Sequence, residues 1–230
     1  MSQQTRAVAI VLAAGAGRRL GAEIPKAFLS IGERPMLSVA VAAAAASPAI
    51  DAVVVTAPPG YEDAARVCVE GLGVPCTVVT GGATRQASVR RALTALGDDV
   101  DVVAIHDAAR PFAPPDLFTA VVEAVVGGVE GAVPVLPIMD TVKHVDVDLV
   151  VGTEDRSELA LAQTPQAFPL RTLRAAHERA EANGLEVTDD AMLLEGSGKV
   201  VTVPGDPGNV KITTMLDLAQ AEARMGGAGG

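Results

Sequence analysis

The sequence predicts an α/β domain with a mostly parallel sheet flanked by helices. Short runs rich in Val, Ile and Ala alternate along the chain with segments of helical periodicity, the pattern of parallel strands joined by right-handed crossovers. Of the 230 residues, 49% are hydrophobic, enough to fill a sizeable core. Only 2% are aromatic and none is Trp. That core must therefore be built from Ala, Val, Leu and Ile, which suits strands buried on both faces.

The elements follow in order. Ala7–Ala13 (AVAIVLA) reads as a fully buried first strand. Pro35 opens a helix through Ala46, because proline suits the first helical turn. Ala52–Ala57 is the second strand, Tyr61–Leu72 a helix, and Cys76–Thr80 the third strand. Gly81 and Gly82 precede a helix from about Thr84 to Leu96. Val100–His106 is the fourth strand, Pro115–Val126 a helix and Gly131–Leu136 a further strand. Between Ile138 and Glu158 the alternation breaks, and Thr141–Val151 (TVKHVDVDLVV) alternates apolar with polar as an exposed hairpin would. It has too few apolar positions for a core of its own, so it reads as an arm that packs on another subunit. Pro169–Asn183 is a helix, Asp189–Leu194 a short one, Val200–Val203 a strand and Thr213–Met225 the last helix. No repeat or linker divides the chain. The expectation is one Rossmann-like domain over residues 1–230, with residues 138–158 as a protruding β-arm for dimerisation.

Charge narrows the function classes. The formal net charge is −10, which argues against general nucleic-acid binding and against an anionic membrane surface. Local clusters of Arg and Lys are informative against that background. Cys68 and Cys76 match no zinc or redox spacing. The apolar run near the N-terminus is too short to span a membrane and shows no cleavage pattern. A cytoplasmic protein is expected.

The strongest local signal is the segment from Leu12 to Lys26, directly after the first strand. Gly15 and Gly17 allow a tight turn and close approach of a ligand. Consecutive backbone N–H groups in such a turn form an anion-binding concavity. Arg18, Arg19 and Lys26 add positive charge. Together they describe a polyphosphate site, although the glycines alone also fit a plain strand-to-helix turn. The dinucleotide fingerprint fails, because Leu20 stands at its third glycine and no acid ends the second strand. The Walker A pattern is absent. Asp107, at the end of the fourth strand, sits where open α/β sheets bind ligands. A carboxylate there can hold Mg²⁺ against phosphates, cap a helix or pair with Arg110. His106 has no relay partner and reads as a packed histidine.

LAAGxGxRxGxxxPKxF, over Leu12–Phe28, resembles the signature of nucleotidyltransferases that activate sugar and polyol phosphates. Further motifs are similar to those of the 2-C-methyl-D-erythritol 4-phosphate cytidylyltransferases. They are GGATRQASV (Gly81–Val89), HDAARP (His106–Pro111), DTVK (Asp140–Lys143) with DRSEL (Asp155–Leu159), TPQAF (Thr164–Phe168), TDDA (Thr188–Ala191) and GNVKIT (Gly208–Thr213). They cover essentially the whole chain, in order. The resemblance implies Arg19, Lys26 and Lys211 as catalytic cations. It implies nucleotide contacts from Ala13, Ala14, Gly15, Gly17, Gly82, Ser88 and Ala108, and Asp107 as the ligand of Mg²⁺ or another divalent cation. Arg110, Thr141, Arg156, Thr164 and Thr188 would contact the acceptor. Thr141 and Arg156, with Lys143 beside them on the arm, would reach the active site of a partner in a homodimer. The family often carries Asp where this chain has Ala83, which leaves only a backbone contact from that position.

The activity so implied is transfer of CMP from CTP to methylerythritol phosphate with release of pyrophosphate. The nucleophile would be a substrate phosphate, which agrees with the absence of a convincing Ser–His or Cys–His pair in the sequence. Three alternatives stand beside this reading. One is a ribitol phosphate cytidylyltransferase, another a uridylyl- or guanylyltransferase, and the third a nucleotide-binding regulatory protein without catalysis.

Overall fold

A computed structural model describes residues 5–15, 24–196 and 198–227. The chain starts with β1 (Ala7–Leu12) and, past the Leu12–Lys26 segment, a small hairpin of β2 (Ser30–Ile31) and β3 (Arg34–Pro35). Then come α1 (Met36–Ala45), β4 (Ala52–Ala57), α2 (Glu62–Cys68), β5 (Cys76–Thr80), α3 (Arg85–Thr94), β6 (Val102–Asp107) and α4 (Pro115–Val126). The second half holds β7 (Gly131–Pro137), β8 (Lys143–Asp146), β9 (Leu149–Thr153), β10 (Ala160–Ala162), β11 (Gln166–Pro169), α5 (Leu170–Ala182), β12 (Val200–Pro204) and α6 (Met215–Gly227).

An eight-stranded sheet runs in the order β10-β7-β11-β6-β1-β4-β5, with β12 paired to β7. The pairs β1–β4, β1–β6, β4–β5 and β7–β12 are parallel. β11 is an antiparallel wedge, with Ala167 opposite Ala104 of β6 and Ala132 of β7. Phe168 of this wedge is fully buried, and its ring lies where a side chain at Gly131 would stand. β10 also pairs antiparallel with β7. The sequence pattern does not announce either strand, because each is three or four residues long and β11 is bounded by prolines that weaken a strand signal. The helix expected over Tyr61–Leu72 ends at Cys68. Gly71, at φ +72°, breaks it in the left-handed region. Only a 3₁₀ turn, Ala191–Leu193, forms in the stretch expected to be helical over Asp189–Leu194.

Alternation along each central strand feeds two cores. Ala7, Ala9 and Val11 of β1 face α1 and α4, where Leu37, Val41, Phe118 and Val121 meet them. Val8 and Ile10 face the other way, toward Val89 and Leu93 of α3 and Leu173 of α5. Both faces are buried, which explains the near-continuous apolar run in the sequence. A third cluster of Ile31, Met36, Ile212, Leu218 and Ala221 seats α6 on the β2–β3 hairpin. α6 starts at a reciprocal cap: Asp217 accepts from Thr214 N–H at 2.8 Å and its own N–H donates to Thr214 Oγ at 3.2 Å.

The arm is the β8–β9 hairpin. Its residues Val145, Val147, Leu149, Val150 and Val151 are between 62% and 91% exposed, so it adds nothing to the core. Among the described residues, no helix is long and apolar enough to cross a membrane.

His106 shows how β6 divides its labour. Its ring is fully buried on the α4 side, edge-on to Phe118 at 5.0 Å. Nε2–H donates to the Arg110 carbonyl at 3.0 Å, and Nδ1 accepts from the Thr164 hydroxyl at 3.1 Å. Burial pushes the imidazole down to about 4, against the pull of Asp107 and the Arg110 carbonyl. It is therefore neutral at pH 7. The unfolded chain takes up this proton near 6.5 and the folded chain only near 4, so stability drops as the pH is lowered through that window. Between pH 7 and 5 this group should remove about 2 kcal/mol of unfolding free energy. Urea titrations of His106→Asn should show that much less loss over the same interval than the parent chain.

Candidate active site

Parallel pairing of β1 with β6 brings Leu12 opposite Asp107. The two strands end at the same level, and the loops that leave them meet. A cleft of about 360 Å³ opens there, lined by Leu12–Gly15, Lys26, Ala27, Gly82–Arg85, Ser88, Asp107–Ala109 and Lys211. The loop after β5 closes one wall. A Cβ at Gly81 would lie 2.2 Å from the Cβ of Ala14, so only glycine allows the two loops to touch. Gly82 N–H donates to Ser88 Oγ at 3.0 Å, and that hydroxyl donates to the Thr84 carbonyl at 2.9 Å. Thr84 caps α3 by accepting from Ala87 N–H at 3.1 Å. That wall is thus one hydrogen-bonded turn.

Asp107 is the last residue of β6, and alternation points it away from His106, toward α3. Its Oδ2 lies 2.7 Å from Lys211 Nζ and its Oδ1 3.4 Å from Arg85 Nε. Burial by itself would raise this carboxyl; the Arg85 guanidinium and the Lys211 ammonium overcome it and hold it at about 2. Lys211 is brought in by its neighbour, since Ile212 is fully buried and donates its N–H to the Ala109 carbonyl at 2.8 Å. The lysine side chain itself stays 45% exposed and able to turn. Arg85 is anchored further back. Its Nη1 lies 2.7 Å from Asp190 Oδ2, and Asp190 Oδ1 lies 3.0 Å from His177 Nε2, with Asp190 and His177 both buried.

The fold brings together nine of the residues singled out from the sequence: Ala13, Ala14, Gly15, Lys26, Gly82, Ser88, Asp107, Ala108 and Lys211 all line the cleft. Gly17 and Arg19 lie outside the described residues. Five others stand away from it. Thr164 is buried behind β6, where its hydroxyl accepts from Asp107 N–H at 3.1 Å. Arg110 donates to the carbonyls of Asn209 at 2.9 Å and Ala162 at 3.2 Å, tying β10 to the segment that carries Lys211. Thr141 and Arg156 sit exposed at the base of the arm, with Arg156 donating to the Met139 carbonyl. Thr188 is on the loop before Asp190, its hydroxyl 3.1 Å from Met192 Sδ.

Arg85 falls within the loop that Gly81 and Gly82 open but is given no partner by that reading, and Asp190 and His177 escape a reading based on strand ends and glycine loops. One signal was available in the sequence. Arg85 follows the Thr84 cap directly, at the positive end of a helix dipole. A cation is disfavoured there unless carboxylates compensate.

Among the described residues, no group of three or more His, Cys, Asp or Glu could hold a metal. Asp107 is the only carboxylate among the described residues that line the cleft. That donor set fits Mg²⁺, which commonly takes one or two carboxylates and completes its shell with phosphate oxygens and water.

The chain is similar throughout to proteins of known type. The sequence profile of the 2-C-methyl-D-erythritol 4-phosphate cytidylyltransferases matches residues 7–227. A protein of that name from Rhodococcus jostii is 47% identical over 218 residues, 94% of this chain and 93% of its own. One from Frankia casuarinae is 47% identical over 220 residues, 95% of this chain and 80% of its own. The crystal structure of the cytidylyltransferase from Thermus thermophilus is 37% identical, with a TM-score of 0.79 over 94% of this chain and 97% of that one. That of 4-diphosphocytidyl-2C-methyl-D-erythritol synthase from Anaerococcus prevotii is 30% identical, with a TM-score of 0.85 over 96% of this chain and 99% of that one. A glycine-walled cleft with Lys26, Asp107 and Lys211 inside it, within a chain that matches one family's profile from end to end, makes this protein a member of the 2-C-methyl-D-erythritol 4-phosphate cytidylyltransferase family.

Proposed function

We propose that this enzyme transfers CMP from CTP to 2-C-methyl-D-erythritol 4-phosphate, releasing pyrophosphate and forming 4-diphosphocytidyl-2-C-methyl-D-erythritol. One observation carries the reading: the family's profile spans a cleft in which two lysines and one ionised carboxylate converge on a glycine-lined wall. A phosphate oxygen of the acceptor attacks the α-phosphorus of CTP. The new P–O bond forms as the α–β bridging P–O bond breaks, and its electron pair leaves with pyrophosphate. That oxygen is already anionic at neutral pH, so no base has to remove a proton. Among the described residues, no histidine lines the cleft.

The task left to the protein is positioning and charge neutralisation. Backbone groups of Ala13–Gly15 and the wall from Gly82 to Ser88 hold the nucleotide. Lys26 and Arg19 gather the triphosphate. The Lys211 ammonium, now on Asp107, turns to the transferring phosphoryl group and frees Asp107 Oδ2. Asp107 is the residue that would hold Mg²⁺ or another divalent cation, which when bound neutralises phosphate charge and polarises the reacting centre.

The acceptor side is completed by a second copy of the chain. Thr141 and Arg156 lie outside their own chain's cleft, at the base of an arm whose apolar residues are exposed. In a two-fold dimer the arm covers those residues and carries both side chains into the neighbouring site.

Pyrophosphate release should be seen with CTP and methylerythritol phosphate, and not with UTP or GTP. A preference for ribitol phosphate would overturn the acceptor assignment. Lys26→Ala and Lys211→Ala should each lower turnover on the order of 10²–10³-fold with an unchanged circular dichroism spectrum, and near-normal rates in both would sink the mechanism. The shared site is tested by mixing. Lys26→Ala and Arg156→Ala chains, each strongly impaired alone, should recover activity after joint refolding, because one site of the mixed dimer is then intact. Full activity from a monomer at micromolar concentration would refute the exchange.

A further inference from the structure

We propose that Arg85 is a positioning residue that fixes the Asp107 carboxylate and the Thr188–Asp190 loop relative to each other, so that one guanidinium aligns the nucleotide side and the acceptor side of the site. The inference rests on the cytidylyltransferase reading of the cleft. Arg85 places Nε 3.4 Å from Asp107 Oδ1 and Nη1 2.7 Å from Asp190 Oδ2. A guanidinium is a rigid planar fork, so two carboxylates on two of its nitrogens take a set separation and orientation.

The two partners of Asp107 differ in kind. Lys211 is half exposed on a flexible stem. Arg85 is gripped from behind by Asp190, itself fully buried and held by His177 Nε2 at 3.0 Å. When Lys211 leaves for a phosphate, Arg85 is the contact that remains and sets the direction of the free carboxylate oxygen. The same helical turn holds the acceptor loop a second time. Gln86 donates to the Leu185 carbonyl at 3.1 Å and accepts from Val187 N–H at 3.2 Å. Thr188, which lies with Asp189 between these contacts and Asp190, is thereby hung from the first turn of α3. Nη2 of Arg85 is buried with no hydrogen-bond partner among the described residues. Buried donors are nearly always paired, so a role confined to holding the fold together would not select a fork with one tine unused.

Arg85→Lys keeps the charge but reduces the fork to a single ammonium that cannot span both carboxylates. The variant should melt close to the parent chain. Mn²⁺ binding to the protein–CTP complex, followed by electron paramagnetic resonance without acceptor, should weaken about 10–100-fold. KM for the polyol phosphate should rise together with it, because the loop that carries Thr188 loses its anchor on Arg85. A folded Arg85→Lys chain with unchanged Mn²⁺ affinity and unchanged acceptor KM overturns the proposal. Should that variant not fold, Asp190→Asn loosens the rear anchor and is read by the same two measurements, and parental values for both overturn it equally. Failure of the parent chain to bind Mn²⁺ with CTP or to release pyrophosphate counts against the reading of the cleft. A normal parent with normal variants counts against Arg85 alone.

Discussion

A carboxylate buried at the end of the central sheet, Asp107, is the constraint around which the cleft is organised. An ion taken out of water is costly unless opposite charge meets it. Here it is met twice, by Arg85 from α3 and by Lys211 from the segment before α6. Each of those cations imposes a further condition. Arg85 sits at the positive end of α3 and needs Asp190, which needs His177 in turn. Lys211 stays in place because Ile212 is clamped to the loop that leaves Asp107. One buried charge thus gathers β6, α3, α5 and the approach to α6 around a single point.

The two adjacent residues at the end of β6 are treated in opposite ways. His106 is buried with a proton donor on one nitrogen and an acceptor position on the other satisfied, so it stays neutral and serves the fold. Asp107 is buried with two cations and stays ionised. Thr164 joins the two, receiving the Asp107 N–H while donating to His106. A threonine expected to contact the acceptor therefore works behind the strand, holding the carboxylate's backbone rather than facing the cleft.

The arm stands apart from both the core and the cleft of its own chain. The arm exposes apolar residues that nothing in its own chain covers among the described residues, and its phosphate-binding candidates Thr141 and Arg156 stand apart from the cleft. The proposed two-fold dimer would answer both at once, since an interface that buried the arm would also deliver those side chains.

The sequence alone determined the elements whose signal is local. β4, β5 and α4 end where periodicity and prolines place them, because a buried strand or a proline-led helix shows itself in consecutive residues. The glycine loops and the residues that follow them in the chain motifs were legible for the same reason. Tertiary structure decided what depends on neighbours far along the chain. β11 is a strand because β6 and β7 leave a gap of one strand's width, not because Gln166–Pro169 favours extension. Arg85, Asp190 and His177 act together across separations of 105 and 13 residues, and no spacing rule connects them. Thr164 turned inward because Asp107 had an N–H to satisfy. Local propensity is written in neighbouring residues, whereas the pairing of a buried charge is settled only once the folded chain has excluded water from around it.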